Sequence, residues 1–496
     1  MIMFSRRHQI ARIALTTSVG FVALAAASGC EREAKADPRV ISEWVHAMYG
    51  AIRVERLSPP VASRLSAYAA TALYAGFAAV DPSLPALDGR LNDIPTFPRA
   101  EGGEAHDATI VAVAAERVVL DSLLREGLAT TRAQVARLAD SLTTARVAAG
   151  VAADVQARSD SLGRRIGLAI VAWSNGDGFA GTRGRPYVPP VGDGLWFNDS
   201  PASVYTTQNL SGASEFIALD NPSNQQRAGN TSDRGLIMSR PKSAGAKTLP
   251  AANMAGATEP YWREVRPFVL SSWNACTIPE AATYSVDTAS DLYRNARAVY
   301  DTRAKLTAEQ KTIAYYWADN PGESGTPVGH WLSIAGQMIS ERHLDAAAAA
   351  RLVLATSLSQ ADAFIASWGF KYQYNLIRPR AYIRRVIDST WEPLIPTPSF
   401  PEHPAGHSTQ SAAAATVITA LIGASPFTDS TSISIGHSVR HFESFEAASV
   451  EAGQSRIYGG IHFPSGNESG RALGHCIGAK VAEALGAASP SGATKP

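Results

Sequence analysis

The segment Pro398-Ser399-Phe400-Pro401-Glu402-His403-Pro404-Ala405-Gly406-His407-Ser408 leads directly into Thr409-Gln410-Ser411-Ala412-Ala413-Ala414-Ala415, and this junction decides how the chain is read. The prolines end at Pro404, Ala-rich sequence follows, and the pattern predicts a helix over 405–422. Gly406 permits close backbone approach at the helix opening, where free N–H groups and the positive dipole end face outward. An anion suits such an opening, and His407 stands there placed to exchange protons with it. Taken alone, the junction reads equally as a helix cap with an incidental histidine.

Working outward, apolar residues recur at three- and four-residue intervals over 40–51, 60–80, 104–126, 132–148 and 152–174, and again from 287 through 306–317, 328–340, 344–376 and 468–485. No stretch sustains period-two alternation between turn dipeptides, so strands are expected to be few. The expected architecture is all-α, two helical lobes, the C-terminal one a bundle carrying an oxyanion site. The parts read as a targeting segment (1–30), an N-terminal helical lobe (31–178), a Gly/Pro-rich loop region (179–267), a C-terminal helical domain (268–487) and a disordered tail (488–496). A loop region that long is either functional or a cover over the helices.

Composition narrows the partners. The 496 residues are 45% hydrophobic and 18% charged, and 45 basic against 44 acidic side chains leave a formal charge of +1. With no long single-sign run, nucleic-acid binding is not indicated. Arg6, Arg7 and Arg12 precede an apolar run over 13–27 that is short and Ala-rich for a membrane span, and small residues lead to Cys30. This pattern resembles a bacterial lipoprotein signal with lipidation at Cys30, so export to the periplasm or outer membrane is expected, with a lipid anchor as the sole membrane attachment. Plain secretory cleavage nearby is the alternative, because Ala27 stands where leucine is usual. With Cys30 lipidated, Cys276 and Cys476 remain, either as one long-range disulfide or as buried free thiols.

Two further segments join the junction. Six residues separate Lys371 from Arg378-Pro379, which on a continuous helix puts both cations on one face about 10 Å apart. Ser455-Arg456 precedes His462 by six positions, with Gly459-Gly460 arguing for a turn between them. Arg matches tetrahedral oxyanions by its planar fork and Lys as a point charge. One histidine can bond the central atom while the other moves protons. Each segment alone is a weak sign, but their joint occurrence in this order within about ninety residues is a strong one.

The ordered set Lys371-x6-Arg378-Pro379, Pro-Ala-Gly-His407 and Ser455-Arg456-x5-His462 resembles the three-part signature of type 2 phosphatidic-acid phosphatases, bacterial acid phosphatases and vanadium-dependent haloperoxidases. It is most similar to bacterial vanadium haloperoxidase-like proteins, as are Trp317-Ala318-Asp319-Asn320-Pro321, Gly325-Thr326-Pro327 and Gly329-His330-Trp331. The resemblance covers roughly 287–485. It implies that Lys371, Arg378 and Arg456, with the Gly406 N–H, hold the oxygens of vanadate, that His462 bonds vanadium, and that His407 is the acid–base group. The implied reaction uses hydrogen peroxide to oxidise a halide, which then halogenates an organic acceptor. Trp368 and Phe400 match aromatic positions that flank the halide, and Asp319 is a candidate carboxylate supporting Arg456 or His407.

Two alternatives stand beside this reading. One is an acid phosphatase-type phosphohydrolase in which His462 forms a phosphohistidine, and the other is a non-catalytic helical surface lipoprotein. The sequence departs from the pattern where a serine commonly precedes the glycine, here Ala405, and where an acidic residue commonly follows the last histidine by four, here Gly466. A lost hydroxyl contact to a charged oxygen weakens anion binding by about 1.5–3 kcal/mol. His403 is read as a pocket-rim residue, while His330, His437, His441 and His475 are read as surface or core histidines.

Overall fold

The computed structural model describes residues 36–199 and 256–487, together with a short antiparallel ladder between β1 (Gln208–Asn209) and β2 (Ala213–Ser214). The expected targeting segment with Cys30, most of the Gly/Pro-rich region and the residues after 487 lie outside the described residues.

The first half supplies α1 (Arg39–Val54), α2 (Pro59–Ala78), α3 (Ala108–Leu123), α4 (Ala129–Ala148), α5 (Ala153–Asn175) and the single turn α6 (Phe179–Thr182). The second supplies α7 (Asp291–Ala304), α8 (Ala308–Tyr316), α9 (Thr326–Glu341), α10 (Ala346–Tyr374), α11 (Pro379–Val386), α12 (Gly406–Ile422), α13 (Phe445–Tyr458) and α14 (Pro464–Ala484). A small hairpin, β3 (Phe427–Asp429) with β4 (Arg440–Phe442), joins α12 to α13. No helix among the described residues is long and apolar enough to cross a membrane.

The organising element is α10, whose start is capped by Asp345 accepting from the Ala348 N–H. Over residues 352–371 it is buried on every face, because α2 packs against one side and α12 against another. One apolar core therefore runs from Val40 through Trp331 and Leu358 to Leu485, across the composition change near 178. A second cluster of Leu292, Leu376, Ile377, Tyr382 and Phe463 lies where α7 meets α11.

Two features place the functional residues. Gly470, Gly474 and Gly478 form a small-residue stripe on α14, and a Cβ at any of them would collide with the backbone or side chains of α12. That contact sets α12, and with it Gly406 and His407, close against α14. Asp362 on α10 accepts from the N–H groups of Phe268 at 2.6 Å, Val269 at 2.9 Å and Leu270 at 2.8 Å, which fixes the end of the cover region over the core. Cys276 and Cys476 form a disulfide tying the next stretch to α14.

Candidate active site

Lys371 lies in the last turn of α10, but Arg378 is not on the same helix. Asn375 takes a left-handed φ of 51° and closes α10, and Arg378 is extended because it precedes Pro379, which opens α11. Pro379 thus starts a helix and does not end one, and the two cations converge by a turn between helices. Arg456 sits in the last turn of α13, and Gly460, at φ 78°, turns the chain so that His462 follows before Pro464 opens α14. Gly406 is the first residue of α12, whose opening N–H groups have no carbonyl of their own helix to bond.

These segments hold one another. Lys371 Nζ donates to the carbonyls of Pro401 at 3.1 Å, Glu402 at 2.9 Å and Pro404 at 2.5 Å, so it fastens the loop before α12 while placing a charge beneath it. Arg378 donates from Nε to the Phe400 carbonyl at 2.7 Å and from Nη1 to the Ile461 carbonyl at 2.8 Å, bridging the second and third segments. Arg456 Nη1 donates to the Trp317 carbonyl at 2.7 Å. All three cations are buried. Burial and Arg378 push the Lys371 ammonium well below its ordinary value, against the pull of Glu402.

The protonation of His462 follows from its neighbours. Arg378 Nη1 lies 3.2 Å from His462 Nε2, and because guanidinium has only donors, Nε2 is an acceptor. The ring hydrogen is then on Nδ1, which donates to Glu402 Oε1 at 2.8 Å. Burial, then Arg378, Lys371, Arg456 and His407, lower His462 well below its ordinary value, so the ring is neutral with a lone pair on Nε2. Glu402 Oε1 also accepts from the Phe463 N–H at 3.0 Å. Its carboxyl is raised by burial to about 7, against the opposing effects of Lys371, the Phe463 N–H and Arg378.

His407 is likewise held neutral, lowered by burial first and then by Arg456 and His330. Its Nε2 is buried without a hydrogen bond among the described residues, 4.0 Å from Asp319 Oδ2. Asp319 itself bonds His330 Nδ1 at 3.0 Å, and His330 Nε2 bonds Asp429 at 2.8 Å. It is Trp317, through its carbonyl, that holds Arg456.

Trp368 and Phe400 pack against each other with ring centroids 4.8 Å apart, and Lys371 Nζ lies 5.7 Å and 5.1 Å from their respective centroids. A Cβ on Gly406 would approach Trp368 to 3.3 Å, so the indole walls the helix opening. The cover region completes this wall: Thr258 accepts from Trp368 Nε1 at 3.0 Å and from the Tyr372 hydroxyl at 2.7 Å.

The structure thus brings together Lys371, Arg378, Gly406, His407, Arg456 and His462, with Trp368 and Phe400 beside them and Asp319 next to His407. Three participants escaped the sequence reading. Glu402 carries no role in the motif pattern, although its place five residues before His407 in a Pro-bounded loop is the available signal. His330, read as a surface or core histidine, is buried between two aspartates, and Asp429 comes from a hairpin with no local signal at all. His403 is fully buried, bonding the Pro279 carbonyl at 3.2 Å, and so is not at a rim.

Among known proteins, the profile of the VCPO second helical-bundle domain matches residues 386–488. No curated protein matches the sequence significantly. A solved bacterial vanadium-dependent iodoperoxidase superposes with a TM-score of 0.74 at 30% identity, covering 92% of this chain and 99% of that one. The holo form of a bacterial vanadium-dependent chloroperoxidase shares the fold at a TM-score of 0.55 and 18% identity, covering 92% of this chain and 94% of that one. With identity at that level along almost the whole of the iodoperoxidase, and the three-segment site assembled in one place, this chain belongs to the vanadium-dependent haloperoxidase family.

Proposed function

We propose that the protein is a vanadate-dependent haloperoxidase using hydrogen peroxide to oxidise a halide, with an organic acceptor downstream. The observation that carries this reading is a neutral His462 whose Nε2 lone pair is set among Lys371, Arg378 and Arg456. The residues fit vanadate: three buried cations suit its oxygens, the opening of α12 adds N–H donors, and His407 Nε2 is buried without a hydrogen bond among the described residues, with Asp319 4.0 Å away. Arg378, Arg456 and the Gly406 N–H would hold the oxygens, Lys371 would add charge from beneath, and His462 Nε2 would bond the metal. Vanadate supplies the Lewis acidity that activates peroxide. His407, neutral and lacking a competing hydrogen bond at Nε2, accepts and returns a proton there. Trp368 and Phe400 exclude water from the side where a halide approaches, and we assign halide preference to them.

A phosphohydrolase reading rests on the same His462 Nε2, which is unprotonated and thus suited to attack phosphorus. We further propose that the chain is exported and anchored through Cys30, a reading supported by the Cys276–Cys476 pair, since disulfides persist in oxidising compartments. The test is purified protein assayed with iodide, bromide and chloride, with and without vanadate and peroxide, beside a phosphate-ester assay. Halide oxidation requiring both additions is expected. Ester hydrolysis inhibited by vanadate, without halide oxidation, would replace the first reading with the second.

A further inference from the structure

We infer that Glu402 is the positioning residue of His462, delivering from the loop before α12 a carboxylate that α14 itself does not supply. Glu402 Oε1 bonds His462 Nδ1 at 2.8 Å and the N–H of the next residue, Phe463, at 3.0 Å, so one oxygen fixes both the ring and the backbone that carries it. The loop holding Glu402 is fastened by Lys371, which donates to the carbonyls of Pro401, Glu402 and Pro404. Gly466 makes room for this arrangement, because a Cβ there would collide with both carboxylate oxygens of Glu402. Glycine at 466 and glutamate at 402 are therefore a matched pair: the missing side chain on α14 is the space the carboxylate fills. At the other ring nitrogen Arg378, a donor-only group, already calls for the lone pair on Nε2, so the distinct contribution of Glu402 is to accept the Nδ1 hydrogen and lock the ring's orientation. The weakness that Gly466 suggests in the sequence is thereby offset from another segment.

This assignment rests on the reading of His462 as the vanadium-bonding residue, and its test begins with ligand-free protein so that it is decided independently. Protein labelled with nitrogen-15 at histidine, with His462→Ala identifying the resonance, reports which ring nitrogen carries the proton. The wild type is expected to show the Nδ1–H form. In Glu402→Ala, where Arg378 still calls for that tautomer, the Nδ1–H signal is expected to lose its hydrogen-bonded shift and to exchange rapidly with solvent, and Gly466→Ala, which keeps the charge but displaces the carboxylate, is expected to behave the same way. Glu402→Gln retains an acceptor and should keep the Nδ1–H form. In equilibrium dialysis with orthovanadate, and separately with orthophosphate, Glu402→Ala and Gly466→Ala should bind about 10–100-fold more weakly. The double variant Glu402→Ala with Gly466→Asp, returning a carboxylate from α14, should recover the protected Nδ1–H signal and most of the affinity. If Glu402→Ala does not fold, Gly466→Ala decides the matter. An Nδ1–H signal with the wild-type shift and exchange protection in either alanine variant overturns the assignment, whether or not the protein binds vanadate.

Discussion

The Trp317 indole lies stacked on the His330 imidazole, with ring centroids 4.4 Å apart and planes within 14° of parallel. Below the stack His330 spans Asp319 and Asp429, and beside it the Trp317 carbonyl receives Arg456. A buried ion cluster outside the three segments thus sets the position of a cation inside them. Burial alone lowers the basicity of His330, but the two aspartates outweigh it and raise the imidazole to about 10. A cation under an indole face adds attraction to the stack.

Replacing His330 with leucine strands two carboxylates in the interior and should cost about 3–5 kcal/mol of stability. The pH dependence is as informative. His330, raised from 6.5 to about 10, contributes stability in full below 6.5 and loses it as pH rises through 10. Asp429, where His330 and the Thr431 N–H overcome the opposing effect of burial, falls to about 2, so its contribution is present above 3.8 and lost as pH drops through 2. Urea unfolding across pH should show a decline on the alkaline side of neutrality that His330→Gln flattens, and an unchanged alkaline limb in that variant would contradict the cluster's role.

Arg378→Lys keeps the charge but not the fork that reaches both the Phe400 and Ile461 carbonyls. Loss of charge-assisted bonds worth about 1.5–3 kcal/mol should weaken vanadate binding by roughly 10–150-fold. Equilibrium dialysis checks this, and near-native affinity would show that only the charge matters.

The helices were legible because their apolar spacing is strong, and the junction at Pro404 to Gly406 was legible because proline and glycine act locally. The break between Lys371 and Arg378 was not, since it depends on Asn375 adopting a left-handed conformation that asparagine tolerates but does not announce. The six motif residues were readable as a pattern, whereas Glu402 and Asp429 reach the site by packing between elements distant in sequence. Gly466 illustrates the limit most directly: read as a loss, it is the space another residue's carboxylate needs.

Asp362 holds the cover region by a single carboxylate. Asp362→Ala leaves three backbone N–H groups without their acceptor and should destabilise the protein by about 3–5 kcal/mol, at about 1–3 kcal/mol per unsatisfied group before partial relief by water. Hydrogen exchange should accelerate at residues 268–270 beyond the rest of the core. Uniform acceleration across all helices would mean that Asp362 supports the fold generally and not that segment.

The Cys276–Cys476 bond spans 200 residues, so its removal enlarges the unfolded ensemble more than it alters the site. The double serine variant should lose about 2–5 kcal/mol in denaturant unfolding while retaining vanadate affinity at 25 °C. A comparable loss of affinity would place the disulfide in the positioning of α14.

Ala405 is the remaining departure from the family pattern, and its position makes Ala405→Ser a two-sided test. It is the residue before α12, with extended backbone at φ −69° and ψ 119° and no side-chain cap. A serine hydroxyl there can accept from an N–H of the first turn, a cap worth about 0.5–2 kcal/mol of stability relative to alanine. The same hydroxyl has one hydrogen to donate, and the helix opening directs it toward the bound anion. Vanadate affinity should therefore tighten by roughly 10-fold or more, corresponding to about 1.5–3 kcal/mol for a bond to a charged oxygen, while unfolding moves to higher denaturant. Higher stability with unchanged affinity would show that the hydroxyl serves only the helix. Lower stability would show that the fully buried site around Ala405 has no room for one more atom, and that the clamp is built around the smaller residue.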